Sequence, residues 1–435
     1  MQRRDFLVGA GAILGAATTA QGATPNAPGT TAPSKPADLS TWEGVRDQFL
    51  LSRDQIHMAM MLFASHPRPV RDAIDGHRRG FDLNPVTYLH EHIERCETET
   101  RAAVAGYIGA LPEEVAITGN TTTGLAMLYG SIPLKKGQEI VTTTHDHYVT
   151  HESLRLRTAH TGAPVKKIAL YAQPAQASED EIVGKMVKGI GPRTRVMAVT
   201  WVHSSTGVKL PIRKMADAVA ELNKKRSEDD KVLLCVDGVH AFGVEKETMA
   251  DLGCDFFVAG CHKWIFGPRG TGMVWGRKAA WNGVQGIIPS FEWKALELWM
   301  KGQSPESLLP GPRTSPGGFQ SYEHRWALPE AFTFHAQIGR ARVTERIHAL
   351  ATQCKEGLAK LPKVKLYTPK NEALSAGIVC FDVEGLKPDD VVKKLAAKKI
   401  VASDTPYAPS YARLTPSLLN TPEEVSKVVG EVAAL

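Results

Sequence analysis

The chain has 435 residues, 43% of them hydrophobic and 23% charged, an ordinary soluble composition long enough for one large domain and a smaller companion. A formal charge of +6 is spread over that length, and no Lys/Arg run interleaved with aromatics is present, so nucleic acid is excluded as a partner. Cys235 and Cys380 lie in apolar strand-like runs and read as core residues.

The N-terminus, MQRRDFLVGAGAILGAATTA, places Arg3-Arg4 before a glycine-interrupted apolar run and small residues around Ala20 to Ala23. That run is well short of the roughly 20 residues needed to cross a bilayer, so residues 1–23 are expected to be a twin-arginine signal peptide. The twin-arginine machinery is then a partner, the mature protein is periplasmic without a membrane span, and folding occurs among reduced thiols before export. Residues 24–40, rich in Pro, Thr, Ala and Ser, read as a disordered linker. An N-terminal segment over 41–75 follows, with helical patterns over 44–51 and 70–77 separated by Ser65-His-Pro-Arg-Pro69, a stretch that could line a site.

A helical pattern over 86–111 leads to a strand over 114–118 and then Gly119-Asn120-Thr121-Thr122-Thr123-Gly124, with the helical spacing of Leu125, Met127 and Leu128 behind it. A strand, a turn of Gly and hydroxyl residues and a helix start present N–H groups and hydroxyls to an anion. A plain Thr N-cap reads equally well from this stretch alone. No Gly-Lys-Ser/Thr follows, so this is not a nucleotide P-loop.

The next strand, 139–144, runs into His145-Asp146-His147-Tyr148, with His151 beyond. Three His suggest a metal, but no further Cys, Glu or His completes a tetrahedral set by spacing, and none is assigned. The alternative is an imidazole lying flat on an aromatic cofactor. Strand-like runs over 195–201, 231–237 and 255–259, with a helix over 213–224 between, predict a mostly parallel α/β sheet in a large domain over 76–305. The first of these runs enters the polar turn His203-Ser-Ser-Thr-Gly207. From about residue 306 a helix over 328–361, strands over 364–367 and 377–383, a helix over 388–398 and a last helix from Pro422 predict a smaller α+β domain over 306–435.

Val236 to Trp275 carries the chemistry. Asp237 ends one apolar strand and Lys263 follows another, and in such sheets strand carboxyl ends face one pocket. Burial disfavours an ammonium and makes the Lys263 amine a nucleophile toward an aldehyde. A buried Asp237 requires a cation, and a protonated pyridine nitrogen is one. With a phosphate seat at Thr121 and Thr122 and a stacking His147, the pieces match pyridoxal 5'-phosphate (PLP). Asp237 as a turn residue and Lys263 as a surface lysine is the bland alternative.

On VDGVHAFGVE (236–245), HKWIFGPRGTG (262–272) and Arg413-Leu-Thr-Pro-Ser-Leu-Leu-Asn420, the chain from about residue 42 onward resembles the class V aminotransferase family of fold type I PLP enzymes. That family includes cysteine desulfurases and isopenicillin N epimerases. With the export signal, SHPRPV (65–70) and GGFQSYEHRWAL (317–328) make the sequence most similar to exported members concerned with maturation of the siderophore pyoverdine. The resemblance implies a mostly parallel seven-stranded sheet with a smaller α+β C-terminal domain, and a homodimer. It implies that Lys263 bonds the cofactor aldehyde, Asp237 pairs with the ring nitrogen, Thr121, Thr122 and His262 hold the phosphate, and His147 stacks on the ring. His240 and Ser204 would lie near the ring hydroxyl, and Arg413 would grip a substrate carboxylate; a surface arginine on a short strand is its alternative. Two departures stand out: Gly260 where desulfurases have Ser, and Gly318-Phe319 where many relatives have Gly-Thr, so the phosphate shell would be completed differently, across a dimer interface. Cys354 in a helical run and Cys380 in a strand disfavour sulfur transfer. The expected function is an exported transaminase, oxidative decarboxylase or epimerase acting on an amino-acid or glutamyl group of a siderophore or peptidic metabolite. Alternatives are a C–S lyase of the same family and a non-catalytic periplasmic binding module.

Overall fold

Seven strands form one sheet that positions everything else. The computed structural model describes residues 38–435; the expected export signal and all of the expected linker except residues 38–40 lie outside the described residues. In chain order the strands are β1 (Val115–Thr118), β2 (Glu139–Thr143), β3 (Val165–Ile168), β4 (Thr194–Thr200), β5 (Leu233–Asp237), β6 (Phe256–Gly260) and β7 (Gly272–Gly276). They lie in the order β1, β7, β6, β5, β4, β2, β3, with β7 antiparallel to both neighbours and every other pairing parallel. This is the mostly parallel seven-stranded α/β sheet expected. β3 escaped the pattern reading because it is an edge strand whose Lys166 and Lys167 are exposed, a common defence against edge pairing.

Period-two alternation sorts the central strands onto two cores. Val196 and Ala198 of β4 join Cys235, Phe256 and Val258 on one face, under the helices Thr121–Ser131 (α1) and Tyr148–Thr161 (α2). Met197 and Val199 join Val236, Phe257 and Met273 on the other, in a larger core that also takes Phe332 and Phe334. Both faces are covered, so the strands read as continuous apolar runs.

The helix expected over 328–361 is two helices, Leu328–Ile338 (α3) and Arg340–Leu358 (α4). Gly339 separates them at φ +94, a value that an L side chain rarely adopts. The break lets α3 stay on the large core while Leu350, Ala351, Cys354 and Leu358 of α4 enter a second core. That core lies against a four-stranded antiparallel sheet of β8 (Val364–Leu366), β9 (Val379–Val383), β10 (Ser403–Asp404) and β11 (Ala412–Leu414), in the order β10, β11, β9, β8. Val425, Val428 and Val432 of the last helix close it, and Met58 joins from the N-terminal segment. Residues 310–338 pack with the large sheet; the Ile117 N–H donates to Ser315 Oγ at 3.1 Å. No helix among the described residues is long and apolar enough to cross a membrane.

Candidate active site

The parallel strands deliver their carboxyl ends to one edge, and the chemically active residues follow those ends: Thr121 after β1, His147 after β2, Ser204 after β4, Asp237 on β5 and Lys263 after β6. Asp237 is 2% exposed, and burial pushes its carboxyl up to about 7, although Val239 N–H donates to Oδ1 at 3.1 Å and Lys263 favours the ionised form. Lys263 answers it. Its side chain keeps some surface, but burial lowers the ammonium to about 8, with Asp237 opposing and Arg413 assisting. Asp237 and Lys263 therefore change charge near neutrality, as acid–base groups at work must. Lys263 sits in a turn closed by Phe266 N–H on its carbonyl, and Phe266 adopts φ 58. A left-handed aromatic residue costs about 1–3 kcal/mol, and burial of the Phe266 ring against Phe49 at 5.1 Å holds it.

Three groups converge at the start of α1. Asn120 caps the helix, its Oδ1 accepting from Thr123 N–H at 2.9 Å. Thr121 Oγ1 and His262 Nδ1 are both buried without a partner. A Cβ placed on Gly260 would stand 3.0 Å from Thr121 Oγ1 and 3.2 Å from His262 Cε1, so the glycine leaves a cradle between them. Orphaned buried polar atoms around a cleared space at a helix N-terminus fit a phosphate. Thr122 is exposed and makes no side-chain hydrogen bond.

The histidine run separates into distinct roles. β2 ends at Thr143 because the buried Asp146 carboxylate takes over the ladder, accepting from Thr142 Oγ1 (2.8 Å), Thr143 N–H (2.7 Å) and Thr200 N–H (2.7 Å). The chain then turns, and His147 becomes the N-cap of α2, its Nδ1 accepting from Val149 N–H at 3.2 Å. With its pKa lowered by burial and by Lys263 and Arg413, the ring is neutral and carries its proton on Nε2. His145 instead stacks on Tyr171 at 3.8 Å, and His151 bonds the Thr143 carbonyl. Among the described residues no group of three or more His, Cys, Asp and Glu is placed to hold a metal ion.

Arg413 is 2% exposed on β11, with Nε donating to Ser403 Oγ (3.0 Å), Nη1 to the Ser204 carbonyl (2.9 Å) and Nη2 to the Asp404 carbonyl (3.2 Å). Among the described residues no carboxylate pairs with it, and two of its five N–H groups remain unspent. Ser204 Oγ bonds the Tyr407 hydroxyl at 2.7 Å, and the Tyr407 ring meets His147 edge-on at 5.9 Å. His240 Nε2 lies 3.5 Å from Lys263 Nζ, while its Nδ1 is buried without a partner. Tyr407 was not legible in the sequence: it sits in an irregular stretch, TPYAPSY, with no periodicity to aim it. The cysteines are buried, and burial pushes the thiols of Cys354 and Cys380 up to about 12.

The donors fit PLP at each functional end: hydroxyl and imidazole at the phosphate cradle, a buried acid for the ring nitrogen, and an amine of lowered pKa for the aldehyde. The fold is likewise that of PLP-dependent enzymes. A lysine-to-alanine variant of C-DES, with glycine covalently linked to its PLP cofactor, superposes with a TM-score of 0.80 at 20% identity, covering 89% of this chain and 98% of that one. The aminotransferase class-V family model matches residues 64–404, and the chain belongs to that family of PLP-dependent enzymes. It is 27% identical to isopenicillin N epimerase of Amycolatopsis lactamdurans over 79% of this chain and 84% of that protein. It is 25% identical to a probable cysteine desulfurase of Halalkalibacterium halodurans over 82% of this chain and 84% of that protein.

Proposed function

We propose that this is an exported PLP enzyme acting at the α-carbon of an amino-acid or glutamyl group, carried by a siderophore or another peptidic metabolite. The observation that carries the reading is Arg413: a buried guanidinium with no acidic partner among the described residues and two free N–H groups, close enough to depress the Lys263 amine. Lys263 and Arg413 both act on His147 and His240, which favours an anionic substrate.

PLP supplies an electron sink for the pair released at the substrate α-carbon. Thr121, His262 and the start of α1 would hold its phosphate, Asp237 would keep its ring nitrogen protonated, His147 would stack on the ring, and His240 and Ser204 would serve its hydroxyl. Arg413 orients the substrate carboxylate bidentately. Lys263, titrating near 8, takes a proton at the α-carbon and returns it. The resemblance to isopenicillin N epimerase supports epimerisation as the second reading. Sulfur transfer is disfavoured, because Cys354 lies within α4 and Cys380 within β9, neither on a loop.

Arg3-Arg4 and the apolar run behind them support twin-arginine export to the periplasm. The exposed Phe291, Trp293, Trp299 and Phe319 support burial of that surface in a homodimer. The test is to incubate the PLP-loaded protein in deuterated water with L- and D-amino acids and glutamyl peptides, and to compare metabolites from cells with and without the intact protein. Wild type is expected to exchange the α-proton of at least one anionic substrate and Lys263→Ala none. A wild type that is colourless after PLP incubation and exchanges nothing sinks the proposal.

A further inference from the structure

We propose that Tyr407 is a positioning residue that holds Arg413 in register for the substrate carboxylate; the role rests on the reading of Arg413 as the carboxylate grip. Arg413 and Tyr407 belong to one hairpin. Its strands β10 and β11 pair Ser403 with Arg413 and Asp404 with Ala412, and its tip spans 405–411. The tip is closed on itself: Thr405 N–H donates to the Tyr411 carbonyl, Tyr411 N–H to Thr405 Oγ1 and Tyr407 N–H to the Thr405 carbonyl, each at 2.9 Å, and Ser410 Oγ to the Thr405 carbonyl at 2.7 Å. Such a tip carries the Tyr407 side chain as a rigid arm.

The hairpin and the large sheet meet on one residue, Ser204. Arg413 Nη1 takes its carbonyl at 2.9 Å and the Tyr407 hydroxyl takes its Oγ at 2.7 Å. Ser204 is thus clasped from the backbone side and the side-chain side by two groups of the same hairpin. The Tyr407 bond ties the hairpin tip to the turn whose Ser204 carbonyl receives Arg413, so its loss lets the hairpin carrying the guanidinium shift relative to that turn. The two unspent N–H groups then no longer face a fixed direction, and bidentate recognition depends on that direction. The phosphate cradle is built from Thr121, Gly260 and His262, none of which takes part in the Tyr407–Ser204 bond, so the phosphate seat does not depend on this bond.

The experiment uses PLP-loaded protein and two probes, succinate and glutarate, which carry carboxylates but no amine; binding is read from the cofactor absorbance. Wild type is expected to bind at least one, and Arg413→Ala to lose it. Tyr407→Phe should bind it about tenfold more weakly with unchanged cofactor content. Ser204→Ala should weaken it by at least a similar factor, and Tyr407→Phe with Ser204→Ala no more than Ser204→Ala alone, since the serine variant already removes the bond to Tyr407. For the best amino substrate, Tyr407→Phe should raise KM far more than it lowers kcat. Wild-type affinity in Tyr407→Phe, or additive effects of the two substitutions, overturns the proposal while leaving the carboxylate grip intact. Loss of cofactor from Tyr407→Phe overturns it as well, since the residue would then serve the seat. Binding that survives Arg413→Ala, or no binding by wild type, rejects the carboxylate grip and the role of Tyr407 with it.

Discussion

Asp237 and Lys263 show how burial alone sets two charges against their ordinary behaviour. Without cofactor the folded chain prefers Asp237 neutral, its carboxyl raised from 3.8 to about 7. A raised folded pKa contributes stability that is full below the unfolded value and is lost as pH rises through the folded one. The apo protein should therefore lose stability relative to Asp237→Asn as pH rises from about 4 to about 7, with no further divergence above; thermal unfolding of both proteins across that range measures it. Thr121 makes the complementary point. Its Oγ1 is buried and unpartnered, so Thr121→Val relieves an unmet group in the apo protein while removing a phosphate donor. Apo stability should hold or rise while the PLP dissociation constant increases about tenfold. Gly260→Ala should weaken PLP at least as much, because its Cβ would occupy the cradle 3.0 Å from Thr121 Oγ1. Equilibrium titration of cofactor absorbance checks both.

At the scale of elements, the turn 203–208 joins the two sheets. Gly207 has φ +75, and a Cβ there would approach the Ile378 carbonyl and Thr368 Oγ1 to 2.5 Å, while Thr368 Oγ1 donates to the Thr206 carbonyl and accepts from Cys380 N–H. Gly207→Ala must push the turn away from β9, which should cost roughly 2 kcal/mol or more of stability by urea unfolding and raise KM by displacing Ser204. How well an element could be read followed its burial. The central strands β2, β4, β5 and β6 announced themselves as apolar runs, since both faces are covered. The edge strand β3 did not, with Lys166 and Lys167 exposed, and the break at Gly339 was hidden because apolar spacing resumes on both sides. His147 was legible as a residue near a strand end, but its separation from His145 and His151 came from the Asp146 carboxylate ending β2, a contact of sequence-distant Thr200.

For the whole molecule, the exposed apolar strip and the N-terminal arginines make separate predictions. On the proposed homodimer, Trp299→Glu with Phe319→Glu should shift sedimentation from the mass of two chains to that of one. Replacing Arg3 and Arg4 by Lys should remove the protein from the periplasmic fraction without lowering its total amount.

The sequence by itself determined the mostly parallel character of the sheet, the family, and the placement of Asp237 and Lys263 at strand ends, because continuous apolar runs and the residues that end them are local features. Tertiary structure alone decided which hydroxyls and imidazoles share the cradle, where α3 and α4 part, and that Tyr407 meets Ser204. Those contacts join residues far apart in sequence, Ser204 to Arg413 and Tyr407, Gly260 to Thr121, and no periodicity records a distance closed by packing.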